Sequence, residues 1–384
     1  MFSFRDVSRL LTRSAAALGA AVLVACATAT PPPSAKPGPE TVPPPPAAEH
    51  AAPVDEFRIA AVGDIMLGGT AQPEMQKYGY DYPFDKTRQI LRQARIAFCN
   101  LEGPLTDDGA AEVDKKYLFR SPPDKVAPAL ARAGFNVASL ANNHSLDYGF
   151  QGLEDTRAAL EKAGIQPIGA GRDLAQARAP VYMKANNATV AFLAYSLVFP
   201  EEFWAGPQKP GTAFGHERYV RADVAAARRH ADIVVVSFHW GQEGKTALRD
   251  YQTLLAHAAI DSGASVVLGH HPHVLQGVER YKDGVIVYSL GNFAFGSYSK
   301  TATRSVIALF GFRNRQLHDL RLVPIDVNNV EVVFQPRPLV GSDATQVVEQ
   351  LRQLSQELGT VLEDRHGEAV LALGADPGAQ ENFK

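Results

Sequence analysis

Cysteine is scarce in this chain. Only Cys26 and Cys99 occur among 384 residues, which excludes a disulfide framework as the source of stability. Runs of like charge are also missing. Lysine and arginine are scattered, and a formal net charge of −3 with a pI near 6.4 excludes a nucleic-acid partner recognised through a basic footprint. No apolar run is long enough to span a bilayer comfortably: the longest candidate, Ala15–Ala25, is too short. Internal repeats are absent. What is present is enough chain for one large domain or two, with a substantial core.

The amino terminus reads as a targeting segment. Arg5, Arg9 and Arg13 precede the apolar stretch, which ends Leu23-Val24-Ala25-Cys26. That ending resembles a bacterial lipobox and implies residues 1–26 as a lipoprotein signal peptide with Cys26 lipidated; an ordinary signal peptide or an uncleaved anchor is the alternative. Acylation of Cys26 leaves Cys99 without a disulfide partner. The expected location is the bacterial cell envelope, with the membrane reached through Cys26. Residues 27–55 are proline-rich and cannot bury a core. As an extended tether they reach roughly 80–90 Å at about 3.1 Å per residue.

The most informative stretch is V-V-L-G-H-H-P-H-V, where the apolar run Ser265–Leu268 ends in His270, His271 and His273. Such a run reads as a buried strand, and the carboxyl end of a strand in an α/β sheet faces the ligand crevice. Other runs end alike. Phe57–Val62 leads to Asp64, Ile96–Cys99 to Asn100 and Glu102, and Asn136–Leu140 to Asn143, His144 and Asp147. Ile233–Phe238 leads to His239, and Gly284–Ser289 to Asn292. One shared site at one sheet edge is the economical reading.

Between these runs, Lys86–Arg95, Asp124–Ala133, Gly152–Ala163, Ala222–His230 and Thr246–Ser262 carry apolar residues at helical spacing, with Pro128 blurring the second. Alternation of strand and helix predicts an α/β layered domain. After Arg304 the runs S-V-I-A-L-F-G-F, L-H-D-L-R-L-V-P-I-D-V and V-E-V-V-F-Q read as consecutive antiparallel strands. Ser342–Leu358 reads as a helix capped by Ser342, and the chain from Arg365 is expected to fray. The domain therefore spans residues 56–340, and 341–384 form a helix and tail.

Asp64 and Glu102 supply carboxylates, Asn143 an amide oxygen, and His239, His271 and His273 imidazoles. These are the donor types of a site for one or two divalent metal ions, with Mn, Zn, Fe and Mg not distinguished. His144 is placed as the general acid and Asp147 as its orienting carboxylate. His270 reads as structural, Trp240 as packing, and His216, His230 and His257 as ordinary surface or core histidines. Glu243 either orients His239 or faces solvent. Asn292 belongs to the rim or to a turn, and Lys116 and Arg120 belong to an exposed cationic loop, with contact to an anionic substrate as the alternative.

The blocks G-D-I-M-L-G, N-L-E-G-P-L, A-N-N-H-S-L-D-Y-G, H-W-G-Q-E, G-H-H-P-H-V-L-Q and Y-S-L-G-N-F resemble, in order, those of the CapA/PgsA family of poly-γ-glutamate capsule-biosynthesis proteins. That family is similar to calcineurin-like metallophosphoesterases, which implies a four-layer α/β/β/α sandwich. The resemblance also implies His273 with Asp64 at one metal, and Asn143, His239 and His271 at the other. Two departures stand out. Met66 occupies the place where those enzymes carry a histidine, and their bridging aspartate is absent, leaving Glu102 or its competitor Asn100 in that role. The implied activity is metal-dependent hydrolysis of a phosphoester or amide bond. Its implied partners are an anionic envelope polymer such as poly-γ-glutamate and a membrane synthase complex. A non-catalytic polymer-binding or assembly subunit is the competing expectation.

Overall fold

The structure, a computed structural model, describes residues 55–111 and 115–373. The signal peptide with Cys26, nearly all of the tether, and residues 374–384 lie outside the described residues.

Two mixed sheets carry the fold. In the first, the strands run Glu363–Arg365, Glu368–Ala372, Gln316–Asp326, Arg304–Arg313, Glu56–Met66, Ile96–Leu101, Val137–Ser139 and Gln166–Ile168. In the second they run Val278–Tyr281, Gly284–Val287, Val266–His270, Ile233–His239, Ala188–Ser196 and Val181–Ala185. Side chains alternate between the faces of each strand, and the cores follow that alternation. Ile59, Phe98, Phe192, Val235 and Leu268 fill the space between the sheets. Ala60, Val62 and Cys99 point outward under the helices Pro123–Ala133 and Gly149–Lys162. Leu193, Val234, Val236 and Val267 point outward under Glu217–Arg228 and Asp250–Asp261. The result is the expected α/β/β/α sandwich. Cys99 is buried and free.

Strand register sets the site. The strand from Glu56 pairs in parallel with that from Ile96, which places Asp64 beside Asn100, and Asp64 also lies beside Asn292. In the second sheet His270 lies beside His239. The chemistry-bearing ends therefore come from two facing sheets rather than from one sheet edge. Two glycines let backbones close here. A Cβ on Gly63 would sit 1.9 Å from the Gly291 carbonyl oxygen, and one on Gly269 1.8 Å from that of Tyr288, so neither position accepts a side chain.

Several local expectations are corrected. V-E-V-V-F-Q is not a strand: Asn328 accepts a hydrogen bond from Val330 N and starts the short helix Asn329–Val332, after which Val333 and Phe334 turn left-handed. Residues 366–373 do not fray, because Glu368–Ala372 pairs with Gln316–Asp326. Ser342 is not a cap but lies inside Gly341–Gln356. That helix buries Val347, Val348 and Leu351 in the inter-sheet core, so residues 341–373 share the core of residues 56–340. Pro128 sits within an unbroken helix, and Lys86–Arg95 reduces to one turn, Arg88–Leu91.

Candidate metal centre

Asp64, Glu102, Asn143, His239, His271 and His273 meet where the carboxyl ends of both sheets converge. Asp64 is fully buried. Its Oδ1 accepts from Asn100 Nδ2 at 2.8 Å and its Oδ2 from the His271 backbone N–H at 3.2 Å. His270 Nδ1 and His273 Nδ1 approach it at 3.3 and 3.1 Å. Burial pushes this carboxyl up, yet the hydrogen bonds and charges of His270 and His273 outweigh it and hold Asp64 well below the usual range.

Glu102 is the opposite case. It is fully buried, and neither carboxylate oxygen has a hydrogen-bond partner. Burial, then the charge of Asp64, pushes it well above the carboxylate range. Its Oε1 lies 3.7 Å from His239 Nε2 and 3.8 Å from His273 Nε2. An unpaired buried carboxylate is costly. A cation would relieve it.

The histidines divide by neighbourhood. His239 is held at both nitrogens, Nδ1 by Asn100 Nδ2 at 3.3 Å and Nε2 by Asn143 Oδ1 at 2.9 Å. Burial and the neighbouring His271 push it well below its ordinary value. Burial and His273 likewise push His271 down to about 3, and its Nδ1 is buried without a partner. His273, although burial opposes it, is pulled up to about 10 by Glu102 and Asp64. Its Nδ1 also lies 2.9 Å from Asn292 Oδ1. His271 and His273 take φ values of +92° and +60°, a conformation disfavoured for such side chains and maintained here by the surrounding packing.

Among the described residues two donor sets are compact, Glu102 with His271 and His273, and Asp64 with Glu102 and His239. In each, the donor atoms lie within 4.8 Å of one another. Metal–donor distances of about 2.0–2.2 Å put donors roughly 3–4 Å apart, so modest adjustment closes either set. Glu102 belongs to both, but the sets cut across the ligand pairing that the resemblance implies. Asn100, the competitor for the bridging role, is committed to Asp64, His239 and Asn142. The Met66 side chain is buried and adds no donor of the kind such cations prefer.

Beside this cluster stands a second one whose groups are all paired. His144 Nδ1 bonds Asp147 Oδ2 at 2.7 Å, and Phe119 N–H donates to the same oxygen at 2.9 Å. Lys115 Nζ donates to Asp147 Oδ1 and to the Asn143 carbonyl, each at 2.6 Å, and lies 3.1 Å from His144 Nδ1. Burial pushes His144 below its ordinary value and Asp147 only partly opposes this, so the ring is neutral near pH 7.

With this geometry in view, the family described as bacterial capsule synthesis protein PGA_cap matches residues 58–297, the stretch that carries every residue of both clusters. The chain belongs to the PGA_cap family. It is 32% identical to the capsule biosynthesis protein CapA of Bacillus anthracis, over 77% of this chain and 73% of that one. It is also 32% identical to the PGA biosynthesis protein CapA of Bacillus subtilis, over 79% of each. Among solved structures, a phosphatase from Mycoplasma pneumoniae superposes with a TM-score of 0.46 at 14% identity, over 71% of this chain and 94% of that one.

Within this PGA_cap chain, sequence reasoning missed Lys115 and Asn142. Lys115 is next to Lys116, which only lies over the Tyr117 ring, and near Arg120, which lies over Tyr148. Asn142 donates to Asn100 Oδ1 and the Leu101 carbonyl, while its Oδ1 accepts from His144 N–H and the Ser145 hydroxyl. The doubled asparagine in A-N-N-H was its available signal. Trp240 is wholly buried against Phe238 and Tyr288. His216 and His230 are exposed, and His257 bonds Glu279. Glu243 is exposed and lines a cavity instead of orienting His239. No described helix is long and apolar enough to cross a membrane.

Proposed function

We propose that this protein is a divalent-cation-dependent hydrolase of the cell envelope, acting on a phosphoester or amide bond in the making or processing of an anionic polymer such as poly-γ-glutamate. The observation that carries this reading is Glu102, buried between Asp64, His239 and His273 with both oxygens unpaired. Asp64, Glu102, Asn143, His239, His271 and His273 would hold the ion or ions. A cation bound there supplies Lewis acidity and a water-derived nucleophile at neutral pH. The protein's own part in proton handling falls to His144. With Nδ1 committed to Asp147, its Nε2 is the nitrogen left to exchange a proton in the cavity that His144 lines. Because the ring is neutral, it first accepts a proton and then returns it to the leaving group, the acid role following rather than opening the cycle. The names of the Bacillus relatives support the capsule polymer as context.

Metal analysis of the purified protein, with phosphoester and γ-glutamyl amide substrates, tests the reading. Turnover should require a divalent ion and disappear in His271→Ala and His144→Ala. Tight cation binding without turnover of any substrate would establish instead the non-catalytic assembly subunit, the reading that Met66 favours. Anchoring through Cys26 and docking to a membrane synthase complex belong to the same proposal. Cys26→Ser should release the protein from the membrane fraction, and mass spectrometry should find a diacylglyceryl group on Cys26 of the parent.

A further inference from the structure

We infer that the cavity over the candidate metal centre takes a ring-bearing compound with a single anionic terminus, and that the polyanionic chain itself stays outside it. This rests on the hydrolase reading only in naming that compound as its substrate. The cavity has a volume of about 380 Å³ and is walled by aromatic residues. On one side, Phe119 lies 4.8 Å from the His144 ring, and Tyr117 stacks on Phe119 at 6.4 Å with 6° between planes. On the other, Phe295 lies 4.8 Å from His273, and Tyr298 completes the wall. The Phe119–Tyr117 row starts at His144 and leads toward solvent. Tyr117 and Tyr298, on separate loops, are 58% and 57% exposed; Tyr117 packs between Phe119 and the Lys116 amine, and Tyr298 against Phe334 at 5.2 Å, and both keep exposed surface at the cavity. Exposed aromatic faces beside a cavity bind flat or apolar ring faces.

Charge points the same way. Among the described residues no lysine or arginine lines the cavity, while Glu243 does. Lys116, Lys245 and Lys300 neighbour wall residues in sequence but are exposed and form no part of the lining. One anionic group can be met at the metal centre. A second one, farther out, meets Glu243 within the lining, where like charges repel in a partly enclosed space; the nearest cation, Lys116, lies outside the lining with its amine over the Tyr117 ring. A chain bearing a carboxylate on every unit therefore suits the exterior better than the cavity.

The shared ligand chemistry is a ring face, from either an aryl group or a sugar, carrying one phosphate-like terminus. Non-hydrolysable probes test it by calorimetry on the full-length protein, with and without Mn²⁺: methylphosphonate, phenylphosphonate, a hexose 1-phosphonate and a γ-linked glutamate oligomer. At least one ring phosphonate should bind about tenfold tighter than methylphosphonate, the increment expected for covering a ring face. Which ring does so identifies the source. Tyr117→Ala and Tyr298→Ala, both at exposed positions, should remove most of that advantage while leaving methylphosphonate binding and the circular dichroism spectrum unchanged. Equal binding of ring and methyl probes, an advantage that survives in both variants, or displacement of the ring probes by the glutamate oligomer would overturn the inference. Binding of ring phosphonates in a protein that hydrolyses nothing would sink the hydrolase reading and leave this one standing.

Discussion

Glu102 and Asp147 are both fully buried carboxylates near the same cavity, and they are treated in opposite ways. Each Asp147 oxygen is occupied, one by Lys115 and the other by His144 and Phe119 N–H. Neither oxygen of Glu102 has a partner. Protein interiors seldom leave such a group unmet without a functional reason. The contrast separates a group of donors that would hold a cation under the proposed function from a pre-organised pair in which orientation is already complete. Substitutions in the two regions should therefore fail differently.

The largest effect belongs to the donor group. Glu102→Gln should lower divalent-cation affinity at least about a hundredfold, near 3 kcal/mol, while the metal-free protein loses only the attraction between Glu102 and His273, since neither Glu102 oxygen has a hydrogen bond to lose. Calorimetric titration and thermal melts in chelator check both halves. A large loss of metal-free stability would erase the contrast.

Asp147→Asn should behave in reverse. Removing this carboxylate leaves Lys115, which is largely buried, without its counter-charge, and about 2–3 kcal/mol of stability should go with it. Cation affinity should stay within about threefold. Urea unfolding in chelator measures the first, and a hundredfold affinity loss would show that the two regions act as one.

A pH series sharpens the comparison more gently. In the metal-free protein His273 is raised to about 10, above its unfolded value of about 6.5. Its protonated form therefore contributes stability that is fully present below pH ~6.5 and is lost as pH rises through about 10. Glu102, also raised, acts in the same direction. The melting temperature in chelator should fall between pH 7 and 10, and saturating cation should lessen the fall. Cation binding at pH 7 should also release protons, visible as a buffer-dependent calorimetric enthalpy; a buffer-independent enthalpy would contradict the charge assignment at His273.

The smallest expected effect is at Lys115. Lys115→Met should reduce the rate far more than it raises KM, because Lys115 acts through Asp147 and the Asn143 carbonyl rather than on substrate, and Lys115→Arg should restore most of it. Stability should drop by about 1–2 kcal/mol. A pure KM effect would place Lys115 against the substrate instead.

Much of the fold was legible because apolar period and turn chemistry are local. The helices at Pro123–Ala133 and Gly149–Lys162 lie within a few residues of their expected bounds. Legibility ended where a partner decided conformation. V-E-V-V-F-Q has strand composition, but Asn328 caps a helix there and Phe334 still reaches the core from a left-handed turn. The last strand, Glu368–Ala372, is short and follows polar residues; only its pairing with Gln316–Asp326 makes it a strand. Sequence favoured Glu102 over Asn100 on carboxylate chemistry alone; that Asn100 lies within the strand and is committed to Asp64, His239 and Asn142 depends on their surroundings in space.

Sequence alone determined which residue types stand at the strand ends, that they are metal-ligand and proton-transfer types, and that Met66 breaks the expected ligand pattern, because these depend on order along the chain. Tertiary structure decided that two facing sheets, not one edge, bring them together, and that Lys115 reaches Asp147 from 32 residues away. It also decided that Glu102 is left unpaired while Asp147 is not. Those outcomes depend on burial and on the distance between side chains remote in sequence, quantities that no local pattern encodes.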